Sequence, residues 1–296
     1  MSNKQKALLS IIACVLFWGF SFVSTKIAIE VFPPVSLAML RFAIALVFLY
    51  FIKLKLAPEE KLRVKDIPLL FGAGLTGVTL YFIFENNGIS LVSASEASIA
   101  VSIIPALTMI TEKIIEKIKK QKDNLSQISA RQYLGCFISI AGVWLVAGVS
   151  FAISGNLLGY IFMTGAAFSW VAYSFLTRPL FKHCSRIYIV FWQTVAGFIF
   201  FIPFSIMEFS NWGRPNAEVI IHLLFLAILC SALGYWMYVR ALETLGLSIC
   251  AIFINLIPVV TVIAGFFILG DRLTLLQWVG AALVIFGVYM AMWRRN

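Results

Sequence analysis

From residue 8 onward the chain reads as long apolar runs separated by short clusters of charged residues, Gly, Pro or Asn. The runs fall at 8–28, 34–52, 67–89, 94–113 and 130–149, then at 156–177, 187–207, 217–239, 247–269 and 274–293. Each is about 20 residues long, the length that carries an α-helix across roughly 30 Å of hydrocarbon. Within a run the apolar positions are continuous and do not alternate with polar ones, so the pattern predicts helices and argues against a transmembrane strand barrel. The first run follows a basic lead, as a secretory signal does. It continues to about Ile27 with no clear small-x-small cleavage site, and is read as a span.

Hydrophobic side chains make up 61% of the 296 residues and charged ones 12%, with a mean hydropathy of +0.97, which is too apolar for a soluble domain. A lipid bilayer is therefore an expected partner. Cys14, Cys136, Cys230 and Cys250 fall inside apolar runs and Cys184 in a short loop, so neither a disulfide nor a metal site is expected, and no cofactor is implied. The net charge of +10 would suggest a nucleic-acid partner in a soluble protein. In a ten-span threading only Arg214 and Arg272 fall in loops on one side, and Lys26, Arg41 and Arg240 lie in or at the edge of spans. The rest of the 23 basic residues share the other side. The positive-inside rule then places both termini in the cytoplasm and accounts for the charge without nucleic acid.

The run "FWGFSFVSTK" at 17–26 has a blurred copy in "FSWVAYSFLTR" at 168–178, with Trp18 on Trp170, Thr25 on Thr177 and Lys26 on Arg178. "SIIPALTMI" at 102–110 matches "NLIPVVTVI" at 255–263, and "QYLGCFISIAGV" at 132–143 matches "QWVGAALVIFGV" at 277–288. Three blocks in the same order predict two repeats, residues 1–150 and 151–296. Five spans per repeat is an odd number, so the second copy enters the membrane from the opposite side. The fold expected is all-α, ten transmembrane helices in two inverted five-helix repeats, an arrangement suited to alternating access.

These residues also carry a resemblance. "FWGFSFVSTKIA", "PPVSLAMLRFAIA", the Pro-containing fourth and ninth runs, "GAAFSWVAYSFLTRPL" and "LGDRLTLLQWVGAALVIFGV" together resemble the EamA family of the drug/metabolite transporter superfamily, over essentially the whole chain. The resemblance implies a ten-helix exporter of small metabolites in the cytoplasmic membrane. Amino acids or related amphipathic compounds are the expected cargo, drugs are a further class, and the state is monomer or homodimer. One departure is the basic stretch "EKIIEKIKKQKDN", which stands where the second half has the short turn "GDRL". Facilitated uptake or exchange, including of phosphorylated sugars, is an alternative that needs several cations around the cavity. A channel or an integral-membrane enzyme is a more distant one. His183 and His222 fall near opposite faces, and no nucleophile-base set or metal spacing is apparent at one depth.

Candidate site residues follow from residue type and depth. Pro105 and Pro258 remove a backbone donor near mid-span and are expected to act as hinges, with Ser102 and Asn255 polar beside them. Arg41, well inside the second span, is expected to pair with Glu85 or Glu96, or to bind a substrate carboxylate. Glu85 is the candidate for proton coupling, although Asn86, Asn87 and the nearby helix end favour a solvated carboxylate. Trp18, Tyr81, Trp170, Tyr173 and Tyr235 supply aromatic surface for cargo. Gly19, Ser21, Ser24, Gly135, Gly142, Gly280 and Gly287 read as close helix contacts. Lys26 and Arg178 are expected to reach toward lipid headgroups.

Overall fold

A computed structural model describes residues 1–119, 128–146, 156–269 and 274–292. Among these, nine helices are long and apolar enough to cross a membrane: α1 Asn3–Ala28, α2 Pro34–Leu56, α3 Val64–Leu91, α4 Ala94–Ile118, α6 Leu157–Lys182, α7 Arg186–Asn211, α8 Ala217–Leu245, α9 Leu247–Ile268 and α10 Leu275–Met292. A shorter apolar helix, α5, covers Ala130–Val146. The elements are those the apolar pattern predicts, and the protein is an all-α, multi-pass membrane protein. The end of the basic stretch before α5, from residue 120, lies outside the described residues, as do Arg272, Arg294 and Arg295.

Four helices change their winding at matching places. In α3, residues Leu75–Leu80 open to π-helical winding, and in α8 residues Leu226–Leu233 do the same. Such segments free backbone carbonyls from the regular ladder. In α4 a 3₁₀ turn at Val101–Ile103 precedes the helix that contains Pro105, and α9 is interrupted at Asn255, ahead of Pro258. Proline has no N–H, and its ring crowds the carbonyl four residues back, here those of Val101 and Ile254, so the α-helical ladder breaks at that turn. Pro203 within α7 is a further interruption.

Packing is reciprocal between the two halves. Helix α1 lies on α8 and α9, as α6 lies on α3 and α4; α2 lies on α8, as α7 lies on α3; and α2 packs on α7 and α5 on α10. Exchanging the halves maps this set onto itself, as a two-fold relation requires. The α5–α10 contact shows it at single residues. A Cβ on Gly135 would meet the Gly287 carbonyl at 2.5 Å, and one on Gly142 would meet the Gly280 carbonyl at 2.7 Å. Numbers rise on one helix as they fall on the other, so the two cross antiparallel. Because Gly135 and Gly142 are the repeat equivalents of Gly280 and Gly287, the two contacts interchange. Glycine is required there because the backbones touch.

Candidate substrate cavity

A small cavity lies in the middle of the bundle. Its floor is aromatic. The ring centroids of Trp18 and Trp170 are 5.1 Å apart with the planes at 89°, and Tyr235 stands 6.0 Å from Trp18 and 5.8 Å from Trp170. Two backbone carbonyls in the π-wound segments hold the floor. Trp18 Nε1 donates to the Cys230 carbonyl at 3.0 Å, and the Tyr235 hydroxyl donates to the Gly77 carbonyl. Gly77 and Cys230 are themselves repeat equivalents, so each half receives one aromatic donor on the same carbonyl.

Two charged side chains face the cavity, Arg41 and Glu85. Arg41 is 1% exposed, and its Nε donates to Ser231 Oγ at 2.8 Å. Its guanidinium carbon lies 4.3 Å from the Phe82 ring centroid, and its buried Nη1 has no hydrogen-bond partner. Glu85 accepts from the Tyr81 hydroxyl at 2.7 Å. The expected ion pair is absent: among the described residues Arg41 bonds no acid. One Glu85 oxygen accepts from Tyr81, while Glu96 caps its own helix with Ser93 and accepts from Tyr160. The reading of Glu85 as a solvated interfacial group also fails, because the residue is only 4% exposed.

Trp18, Arg41, Tyr81, Glu85, Trp170 and Tyr235 are thus brought to one cavity. Three other candidates are not. Tyr173 is fully buried, its hydroxyl accepting from Gln193 Nε2 at 3.1 Å. Asn255 donates to Ser139 Oγ at 2.6 Å and ties α9 to α5, and Ser102 is buried in the 3₁₀ turn. Ser21, expected only as a helix contact, lines the cavity together with Phe22 and Phe82. Ile104 and Ile257 line it too, and each immediately precedes a candidate hinge proline, a signal present in the repeated Ile-Pro pair. Lys26 does not reach for headgroups: Nζ donates to the carbonyls of Ile89 at 2.7 Å and Val92 at 2.8 Å, capping the end of α3. Arg178 lies 3.6 Å from Glu112.

A family model described as the EamA-like transporter family matches the chain twice, over residues 5–148 and 157–293. The chain belongs to the EamA-like transporter family. It is similar to an "Uncharacterized transporter" of Archaeoglobus fulgidus, 28% identical over 95% of this chain and 96% of the relative. A "Probable amino-acid metabolite efflux pump" of Escherichia coli is 26% identical over 98% and 95% of the two chains. A "Probable terminal-alkyne amino-acid exporter" of Streptantibioticus cattleyicolor is 22% identical over 97% and 93%. A crystal structure superposes with a TM-score of 0.73 at 17% identity over 98% of each chain, which shows the fold. As an EamA-like transporter the protein acts on a small molecule in a membrane and is not an enzyme.

This EamA-like transporter also has a polar network where the α2–α3 and α6–α7 connections meet. His183 Nε2 and Asp66 Oδ1 are 2.7 Å apart, and Cys184 completes a group whose potential metal-ligand atoms lie within 4.8 Å of one another. Neither sequence spacing nor depth had suggested this grouping. Arg63 already supplies its positive charge, with Nε 2.8 Å from Asp66 Oδ2 and Nη2 3.0 Å from Cys184 Sγ. The arrangement is an ionic clasp between the connections. At the other ends of α2 and α7, Glu208 of α7 accepts from the backbone N–H groups of Val35 and Ser36 in the first turn of α2, at 3.3 and 2.7 Å.

Proposed function

We propose that this transporter exports amino acids or closely related zwitterions across the cytoplasmic membrane, both termini cytoplasmic, by alternating access of two inverted repeats, residues 1–150 and 151–296. The observation that carries the reading is a buried guanidinium and a buried carboxyl group that face one cavity with no salt bridge between them. An ion removed from water costs several kcal/mol. Arg41 recovers roughly 1.5–3 kcal/mol from a charge-assisted hydrogen bond and about 0.5–2 kcal/mol from the Phe82 face. A free Nη1 remains to receive a carboxylate, and Glu85 stands ready for an ammonium group. The aromatic floor accepts an apolar side chain. Relatives named for amino-acid efflux support the same cargo. Phosphorylated sugars are disfavoured, because Arg41 is the sole cation among the residues lining this cavity.

Counterflow in proteoliposomes tests the cargo. L-Phenylalanine is expected to exchange, whereas phenethylamine and 3-phenylpropionate, each lacking one charge, compete weakly. Equal competition by all three sinks the zwitterion reading. Sidedness is tested separately with Lys55→Cys and Asn216→Cys, which should label from opposite faces of the membrane.

A further inference from the structure

The lining of the cavity is unevenly shared between the two halves. Some of it consists of repeat equivalents that both face the space: Trp18 with Trp170, Phe82 with Tyr235, Ile104 with Ile257. Five lining residues, Ser21, Phe22, Arg41, Tyr81 and Glu85, have equivalents that do not. At the offsets of the repeat these equivalents are Tyr173, Ser174, Gln193, Gly234 and Tyr238. All five are buried on α6, α7 and α8, and their polar members close on one another. Gln193 donates to Tyr173 at 3.1 Å, and the hydroxyls of Ser174 and Tyr238 are 3.2 Å apart. One atom is left over: Gln193 Oε1 is buried with no hydrogen-bond partner, in the same way that Arg41 Nη1 is at the equivalent place on α2. A buried amide oxygen without a donor is costly, and it marks a position built to receive a polar group.

Resting on the alternating-access reading above, we infer that Tyr173, Ser174, Gln193 and Tyr238 form a second cargo subsite, closed in this structure, that lines the cavity when the access pathway faces the membrane side bearing the N-terminus. The exchange of halves that turns Arg41 and Glu85 toward solvent on one side brings Gln193 and Tyr238 into their places on the other. The two subsites differ in chemistry. The visible one offers a guanidinium and a carboxylate, and the hidden one offers an amide and three hydroxyls with no charge. A zwitterion therefore meets charged partners on one face and neutral hydrogen-bonding partners on the other. Floor residues such as Trp18 and Trp170 serve both states.

The labelling arm of the test does not depend on cargo identity. Ser21→Cys and Ser174→Cys are each treated with a membrane-impermeant maleimide from one face at a time. The native chain serves as blank: its five cysteines are buried, and burial, with the Asp66 carboxylate beside it, pushes the Cys184 thiol up to about 11. Ser21→Cys should label from the face opposite the N-terminus and Ser174→Cys from the face that bears it. Gln193→Cys replaces Ser174→Cys if the latter fails to reach the membrane. Gln193→Leu should raise half-saturation about tenfold at the N-terminal face alone, the effect of one ordinary hydrogen bond. Protection of both residues 174 and 193 from both faces, while residue 21 labels, overturns the inference and leaves the cargo reading intact. Labelling at 174 with no L-phenylalanine flux overturns the cargo and leaves the second subsite standing.

Discussion

Trp18 and Trp170, equivalent residues of the two halves, meet edge to face with ring centroids 5.1 Å apart at the floor of the cavity. A residue and its repeat equivalent touch only where they approach the axis that relates the halves. The contact therefore places the floor of the cavity where the two matching segments meet.

Replacing Trp18 with Phe removes the bond to the Cys230 carbonyl, worth about 1 kcal/mol, and weakens aromatic contacts worth roughly 0.5–1.5 kcal/mol each. Melting in detergent should fall modestly, and half-saturation for cargo should rise for both Trp18→Phe and Trp170→Phe. Unchanged half-saturation in both variants would show that the floor only packs.

The antiparallel glycine crossing of α5 and α10 predicts a position-specific intolerance. Gly142→Ala puts a Cβ 2.7 Å from the Gly280 carbonyl and from the Val284 nitrogen, which are backbone atoms and cannot step aside. Overpacking of this kind costs about 1–3 kcal/mol. Gly72→Ala meets only the flexible end of Leu176, at 3.3 Å, and should be tolerated. Thermal melting of the two variants decides the matter, and equal stability would contradict the crossing.

If the breaks in α4 and α9 act as hinges, Pro105→Ala and Pro258→Ala restore the missing N–H and let the ladder close across the Val101 and Ile254 carbonyls. Turnover should drop while the amount of folded protein holds. Native turnover at native affinity in both variants would remove the hinge role.

Glu85→Gln keeps an acceptor for Tyr81 and loses the charge. Should Glu85 trade a proton for cargo, accumulation driven by a pH gradient disappears while exchange at equal pH persists. A pH response identical to that of the native chain would rule out coupling through this residue.

The sequence by itself determined the class of the molecule and where its apolar helices run. Apolar runs of bilayer length have one way to satisfy their backbone in hydrocarbon, so the helices follow from composition alone. The repeated Trp, Ile-Pro and Gly blocks also marked residues that the fold brings together: Trp18 and Trp170 touch, Ile104 and Ile257 line one space, and Gly142 meets Gly280. Only the tertiary structure decided how charges and polar groups were partnered. Arg41 sits as close to mid-span in sequence as any charge, yet its partner is Ser231, 190 residues away, and not an acid. Lys26 likewise turned inward, to two carbonyls at the end of α3. Helical spacing tells which face a residue occupies, but the partner lies on another helix, and the rotation between the two is set by packing over the whole bundle. The symmetry of the sequence was also silent about which equivalent faces the cavity. Arg41 does and Gln193 does not, because which side chain reaches the cavity is set by how the helices pack in three dimensions.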